Sequence, residues 1–322
     1  MENLFSLFFE LSNEDRLKIL EQLNSKALNT TNLSRTLNLS LQETSRHVHR
    51  LHKIGLVRKD TDLYHAAPYG ELVLKHLNIL QFLSRHRNYF NSHSLTRLPE
   101  EFVGRVGDLA ECRYEDNSVL IWNNVQRILE EARDHVWSLT HQYDVASLYM
   151  IPRALSRGVK IMSIDRIDHV HQDDADISAT IVRENLQTVL GARKTGQLEE
   201  RLLERIDMFL WISDEEAVLA FPANDGKFDY QGFVCKDENS LAWCRNLFQH
   251  YWERARTLDS VIDELYRWIT KRTGALGVLR KVAAEKKVTQ GEELVPELQR
   301  RGLMVDGKLT WIGHWIYQKL QH

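Results

Sequence analysis

Between residues 13 and 77 the apolar positions fall at helical spacing in three short runs and then switch to alternation. Leu17, Ile19, Leu20 and Leu23 follow Ser12-Asn13-Glu14-Asp15, whose cap and acidic side chains suit a helix start. Leu33 and Leu37 mark a second helix from Asn32 to Leu37, capped by Thr30 or Thr31, and Asn38-Leu39 makes a turn. Ser40 then caps a third helix. In it Leu41, Val48 and Leu51 form the apolar stripe, so Gln42, Glu43, Arg46, His47 and Arg50 are expected on the solvent side. Gly55 stops that helix, and Leu56-Val57-Arg58-Lys59 and Leu63-Tyr64-His65 flank Asp60-Thr61-Asp62 as a hairpin. Pro68-Tyr69-Gly70 opens a further helix with Leu72, Leu74 and Leu77, and the pattern runs on through Leu83 and Tyr89 to Phe90 as a candidate dimer seam.

Two helices joined by a tight turn and followed by a hairpin make a winged helix-turn-helix, which places the helix from Ser40 in a DNA major groove. Gln42, Glu43 and Arg46 carry the amide, carboxylate and guanidinium groups that match base edges, with Thr44 and His47 as further candidate contacts on the same helix. Arg50, Arg58 and Lys59 suit phosphate. The competing expectation is a winged helix used for protein contact, with these charges a solvated face. Residues 47, 49 and 52 are all histidine, but 47 and 49 project about 200° apart on a helix, so no compact metal site is expected.

Beyond Pro99 helical stretches alternate with short apolar runs, as in an α/β domain. Helices are expected over 119–134, 145–157 and 240–254. Strands are expected over 136–139, 158–164, 208–212, 217–221 and 232–235, giving a mixed sheet covered by helices. After Thr257 helical patterns return through Ile269 and over 276–286 and 292–301, with a hairpin around Asp306-Gly307. Leu51-x-x-x-Gly55-Leu56 recurs as Leu298-x-x-x-Gly302-Leu303, and Gly70-Glu-Leu-Val-Leu as Gly313-His-Trp-Ile-Tyr, so a second winged helix is expected at this end. The three expected domains are 1–95, 96–257 and 258–322.

Composition adds a division of charge. The formal net charge is −3, but residues 1–95 carry 12 basic and 9 acidic side chains, 96–257 carry 19 and 28, and 258–322 carry 11 and 8. Two mildly basic ends flank an acidic middle, and phosphate attraction depends on the local patch. Arg300, Arg301 and Lys308 are possible phosphate contacts, but Glu292-Glu293 sits where a second recognition helix would begin, so that module is expected to be accessory or dimerising. No apolar run approaches a membrane span and no signal peptide is evident, so the cytoplasm is the expected location. Cys112, Cys235 and Cys244 are odd in number and lack Cys-x-x-Cys spacing, which predicts buried thiols rather than a disulfide or a zinc site.

The order "Leu-x-x-x-Gly-Leu-Val, hairpin, Tyr-Gly, helix" over 51–77 resembles the winged-helix regulators of the arsenic-repressor type. Tyr-Phe-x-Ser-His-Ser-Leu-Thr-x-Leu-Pro-Glu-Glu-Phe at 89–102, Arg-Gly-Val-Lys-Ile at 157–161 and Ile-Ser-Asp-Glu-Glu-Ala-Val-Leu-Ala-Phe-Pro at 212–222 resemble the middle domain of archaeal methanogenesis and filamentation regulators. Trp-Cys-Arg-Asn-Leu-Phe-Gln-His-Tyr-Trp at 243–252 fits the same pattern. The resemblance covers about 1–257. It implies an archaeal transcription regulator with a phospholipase-D-like α/β middle domain that senses a signal; double-stranded DNA and, from the helix after the wing, a second copy of the chain are the expected partners.

Phospholipase-D catalysis needs a nucleophilic histidine with a lysine two residues later, and no His-x-Lys occurs in the chain. No catalytic residue, metal or cofactor is therefore expected. His169-Val170-His171 with Asp173, Asp174 and Asp176 reads as an acidic loop in preference to a metal site. A small-molecule or anionic effector would sit beyond the carboxyl ends of the strands, near His141, Tyr143, Asp165 and Arg166.

Overall fold

A computed structural model describes residues 2–142, 144–166, 185, 187–283, 294–301, 303–305, 308–309, 313, 316–317 and 320. The chain divides into two compact units, Met1–Arg85 and His86–His322.

The first unit is a winged helix. Helix α1 (Glu2–Leu11), which the hydrophobic pattern had not suggested, precedes α2 (Glu14–Ser25), α3 (Thr30–Leu37) and α4 (Leu41–Lys53). Asn13 caps α2 through its side chain, and Asn29, not Thr30 or Thr31, caps α3. Asn38 takes the left-handed conformation (φ 53°) that turns the chain from α3 towards α4. Strands β1 (Val57–Asp60) and β2 (Leu63–Ala66) pair antiparallel, with Thr61 at φ 51° in the two-residue turn. Leu28 bridges Tyr64 through both backbone hydrogen bonds (2.9 and 2.8 Å), which ties the wing to the segment before α3. Ile19, Leu20, Leu23, Leu33, Val48, Leu51 and Leu56 fill one core.

Helix α5 (Pro68–Arg85) crosses this core at Gly70. A Cβ on Gly70 would lie 2.1 Å from the Leu56 carbonyl oxygen, so only glycine permits the approach. The helix ends at Arg85. His86 interrupts the run, and α6 (Arg87–Ser92) begins anew, so the helical pattern expected to run on to Phe90 is divided into two helices. Tyr89 is buried, accepting from the Phe221 amide (2.9 Å) and donating to the Gln231 carbonyl (3.1 Å).

The second unit is built on a sheet. After α6 come α7 (Glu100–Val103), β3 (Arg113–Glu115), α8 (Ser118–Glu131), β4 (His135–Thr140), α9 (Val145–Ser156) and β5 (Lys160–Arg166). A helix α10 is described over 187–195, and β6 (Leu198–Leu203), β7 (Phe209–Ser213), β8 (Ala217–Ala220), β9 (Gly232–Cys235) and α11 (Glu238–Arg254) follow. With β10 (Arg256–Thr257) the strand order is β10-β6-β5-β4-β7-β8-β9-β3 among the described residues. β4, β5 and β6 run parallel and the other pairs antiparallel, the mixed sheet expected. Strands β3, β6 and β10 were not anticipated. β6 reads Leu-Glu-Glu-Arg-Leu-Leu, with Glu199 exposed and Glu200 and Arg201 half-buried between the buried Leu198 and Leu202.

The cysteine expectation is corrected here. β3 and β9 pair antiparallel with Arg113 opposite Val234, which sets Cys112 opposite Cys235, and the two form a disulfide with Cα atoms 4.4 Å apart. Spacing arguments along the chain do not see a pair that the sheet assembles across 123 residues. Cys244 remains a buried thiol.

Helix α12 (Leu258–Lys271) lays Leu258, Val261, Ile262, Leu265 and Ile269 into a cluster that includes Leu202 of β6. Helices α13 (Ala275–Ala283) and α14 (Val295–Arg300) and the short pair β11 (Met304–Val305) and β12 (Lys308–Leu309) complete it. Glu292-Glu293, Gly302, Asp306-Gly307 and residues 169–176 lie outside the described residues.

Candidate nucleic-acid interface

The start of α4 is fixed by a reciprocal cap. The Ser40 hydroxyl oxygen accepts from the Glu43 amide (3.2 Å), while the Glu43 carboxylate accepts from the Ser40 amide (3.3 Å) and hydroxyl (2.7 Å). These bonds hold the Glu43 carboxyl below its ordinary range. Glu43 is exposed but already engaged, so its expected contact with a base competes with the cap.

The inward face is Thr44, His47, Val48 and Leu51. His47, expected on the solvent side, and Thr44, expected as a further DNA contact, are therefore corrected to packing residues. At 100° per residue His47 stands only 40° from Leu51, on the flank of the stripe rather than opposite it. Thr44 donates its hydroxyl to the Ser40 carbonyl (2.9 Å). Burial holds the His47 imidazole below its ordinary pKa, and the nearby Arg16 and Arg46 charges act in the same direction.

The outward face carries Gln42, Ser45, Arg46 and His49, all exposed, and Leu41, expected on the buried apolar stripe, is corrected to this face, where it lines an open depression with them. Ser45 and His49 were missed as candidates. The 3.6-residue repeat finds them, because both follow Leu41 or Gln42 by four or more residues on the side away from Leu51. Arg58 and Lys59 stand exposed on β1, with the Lys59 ammonium 5.6 Å from the Tyr64 ring centroid.

Arg50 is placed otherwise. Its guanidinium grips the Glu10 carboxylate side-on, Nε to Oε2 at 2.9 Å and Nη2 to Oε1 at 2.7 Å. Arg16 approaches the same carboxylate at 3.0 Å and donates to the Glu10 and Phe9 carbonyls (2.7 and 2.9 Å). Glu10 and Arg16 are buried, and the Phe9 ring lies under both guanidinium groups. The hydrogen bond from Arg50 pulls the Glu10 carboxyl below its ordinary pKa, against the opposing effect of burial.

In the second unit, parallel pairing sets Thr140 beside Asp165, so His141, Asp165 and Arg166 gather at the carboxyl ends of β4 and β5. Tyr143 lies outside the described residues. His141 stacks on Phe228 (4.4 Å between centroids) and lies parallel to Tyr230, whose hydroxyl donates to Gln142 Oε1 (2.9 Å). Tyr230 sits at φ 58°, a backbone state no sequence pattern announces. Among the described residues no group of histidine, cysteine and carboxylate side chains is arranged to hold a metal.

One trio has the composition of a hydrolase triad. Ser92 Oγ lies 2.9 Å from His93 Nδ1, and His93 Nε2 lies 3.0 Å from Asp229 Oδ1. Nδ1 is also 2.9 Å from the Tyr89 carbonyl, which can only accept. The Tyr89 carbonyl competes with the serine for Nδ1, and the serine hydroxyl itself donates to that carbonyl (3.0 Å), so the hydroxyl is not directed at the imidazole as a nucleophile would be.

Comparison with known families agrees with this geometry. Residues 16–84 match the winged helix-turn-helix family, and residues 174–254 match the middle domain of the methanogenesis regulatory protein FilR1. The chain joins a winged helix-turn-helix to a FilR1-type middle domain. The motifs at 89–102 and 157–161 lie outside the matched residues. No curated protein matches the chain. Among solved structures, TrmBL2, described as an archaeal chromatin protein with a novel mode of DNA binding, is 18% identical over 76% of this chain and 94% of its own, at a TM-score of 0.36. NucT from Helicobacter pylori is 14% identical over 46% of this chain and 98% of its own, at 0.33. Within the winged helix, the residues brought together on one outward surface are Gln42, Ser45, Arg46 and His49.

Proposed function

We propose that the chain is a DNA-binding transcription regulator that acts in the cytoplasm as a homodimer. The observation that carries this reading is the outward face of α4, where Gln42, Ser45, Arg46 and His49 stand exposed on a capped, core-anchored helix beside a wing bearing Arg58 and Lys59. Arg46 has the geometry for guanine, Gln42 for adenine, and Ser45 and His49 extend the hydrogen-bonding row. Arg58 and Lys59 supply phosphate contacts. Arg50 is assigned to holding α1 against α4 through Glu10, not to phosphate. A two-fold dimer doubles the contacts of one small module and reads a palindromic site.

The middle domain is proposed to be phospholipase-D-like in fold and to sense a small molecule or anion near His141, Tyr143, Asp165 and Arg166. It works as a sensor and not as an enzyme, in keeping with the absence of His-x-Lys from the sequence. The segment after Thr257 is proposed to be a second winged-helix-like module. A Cβ on Gly313 would lie 2.0 Å from the Leu303 carbonyl oxygen, the counterpart of Gly70 and Leu56, and the Leu303 amide bonds the Leu298 carbonyl as Leu56 bonds Leu51 (3.0 Å in each).

A gel-shift on the DNA upstream of the chain's own gene, with and without added metabolites, tests the reading. Retarded bands that weaken with salt, and that a metabolite strengthens or abolishes, are expected. No retardation at low salt contradicts regulation by DNA binding.

A further inference from the structure

The outer surface of α12 carries charge that the wing and α4 do not account for. Arg256, Ser260, Glu264, Arg267 and Lys271 are exposed and surround the half-buried Trp268 in an open depression. Residues 260, 264, 267 and 271 fall within about 60° of one line along the helix, a stripe about 16 Å long. The opposite face of α12 is locked into the core by Val261, Ile262, Leu265 and Ile269, so the stripe cannot turn inward.

Cations from three elements meet here. The Arg301 guanidinium covers one face of the Trp268 indole, 4.4 Å from the ring centroid, and Arg272 and Arg301 share the Glu297 carboxylate (3.2 and 3.7 Å). Arg256 is paired with Glu264. Among the described residues, Arg256, Arg267, Lys271, Arg272 and Arg301 thus gather around the tryptophan with Glu264 and Glu297, and Asp263 stands one turn before Arg267 on the same helix. Arg267 has only its own helix as partner, through the Asp263 carbonyl (3.2 Å), and Lys271 has no acidic partner among the described residues. A helix with acidic side chains in its first turn and basic ones in its last also complements its own dipole. That effect explains Lys271 on α12, but not the convergence of Arg256 and Arg301 from outside the helix.

We infer that this surface is a second, sequence-independent DNA contact, in which Arg267 and Lys271 neutralise backbone phosphates and Arg256 adds a third when released by Glu264. Exposed cations on a fixed face with no base-reading amide match a phosphate backbone rather than a base edge. The inference rests on the proposed DNA-binding function and adds to it a contact made by the C-terminal segment, where the Glu292-Glu293 pair had argued against a second reader.

The test is fluorescence anisotropy of the full chain on its upstream duplex and on a duplex of unrelated sequence, across a salt series. Arg267→Ala/Lys271→Ala is expected to weaken both duplexes alike, to leave their ratio unchanged, and to lower the salt slope by about 2, roughly 0.9 for each phosphate contact. Glu264→Gln is expected to tighten both duplexes and steepen the slope by up to about 1, a gain that misfolding cannot produce. Wild-type affinity and slope in both variants, with Arg46→Ala still weakening the upstream duplex, would overturn this contact alone. Absence of binding by the wild-type chain would overturn the regulator reading and this contact with it.

Discussion

Arg50 and Glu10 are joined by a side-on pair whose carboxylate is buried and also serves Arg16. The helix expected to present Arg50 to DNA uses it to hold α1 through Glu10. Glu10→Ala leaves Arg16 as a buried cation with backbone partners only. It should lower the stability of the N-terminal unit by about 3 kcal/mol, the scale seen when one partner of a buried pair is removed. Chemical denaturation followed by circular dichroism measures this, and Arg50→Ala, at the exposed side of the trio, should cost less.

The same carboxylate gives a pH dependence. Its folded pKa lies below the ordinary 4.5, so its stabilisation is complete above that value and is lost as pH falls through the lower folded pKa. His47 acts in a higher window. Its folded pKa is depressed below 6.5, so the unfolded chain takes up the proton first, and stability declines as pH falls from 6.5 towards the folded value. Denaturation midpoints between neutral and mildly acidic pH should fall more steeply in wild type than in His47→Gln, and equal slopes would remove His47 from the account.

Gly70 and Gly313 make the packing of the two ends testable. Gly70→Ala drives a methyl group into the Leu56 carbonyl and should destabilise the N-terminal unit by at least about 2 kcal/mol. Gly313→Ala, against Leu303, should do the same to the segment after Thr257. Gly277→Ala, where an added Cβ meets nothing within 4 Å, serves as the control.

The disulfide predicts a thiol count. Unfolded without reductant, the chain should titrate one thiol, Cys244, and after reduction three. Closing a loop of 123 residues restricts the unfolded chain by an amount on the order of 5 kcal/mol, so reduction should lower the melting temperature. Three thiols without reductant would remove the bond.

Much of the first unit was legible because its elements are marked locally. Ser40 with Glu43 announces a cap, Gly55 a stop (φ 80°), and Pro68 a helix start. What the sequence hid depends on partners far along the chain. Arg50 is exposed by its helical position but engaged by a residue 40 positions earlier, and Cys112 meets Cys235 only through the pairing of β3 with β9. His47 is polar yet buried, because it lies four residues before the buried Leu51 and so on the same side of the helix. In the sheet, β6 escaped because half its positions are charged, and Tyr230 because its backbone state leaves no trace in residue spacing.

Base sequence is expected to be read by the outward face of α4. Binding of wild type, Arg46→Ala and Lys59→Ala to the upstream duplex and to an unrelated duplex, at fixed salt, tests it most directly. Arg46→Ala is expected to lose about 1–3 kcal/mol on the upstream duplex and little on the other, while Lys59→Ala weakens both alike and lowers the salt slope by about 1. Equal discrimination between the two duplexes by wild type and Arg46→Ala would contradict it.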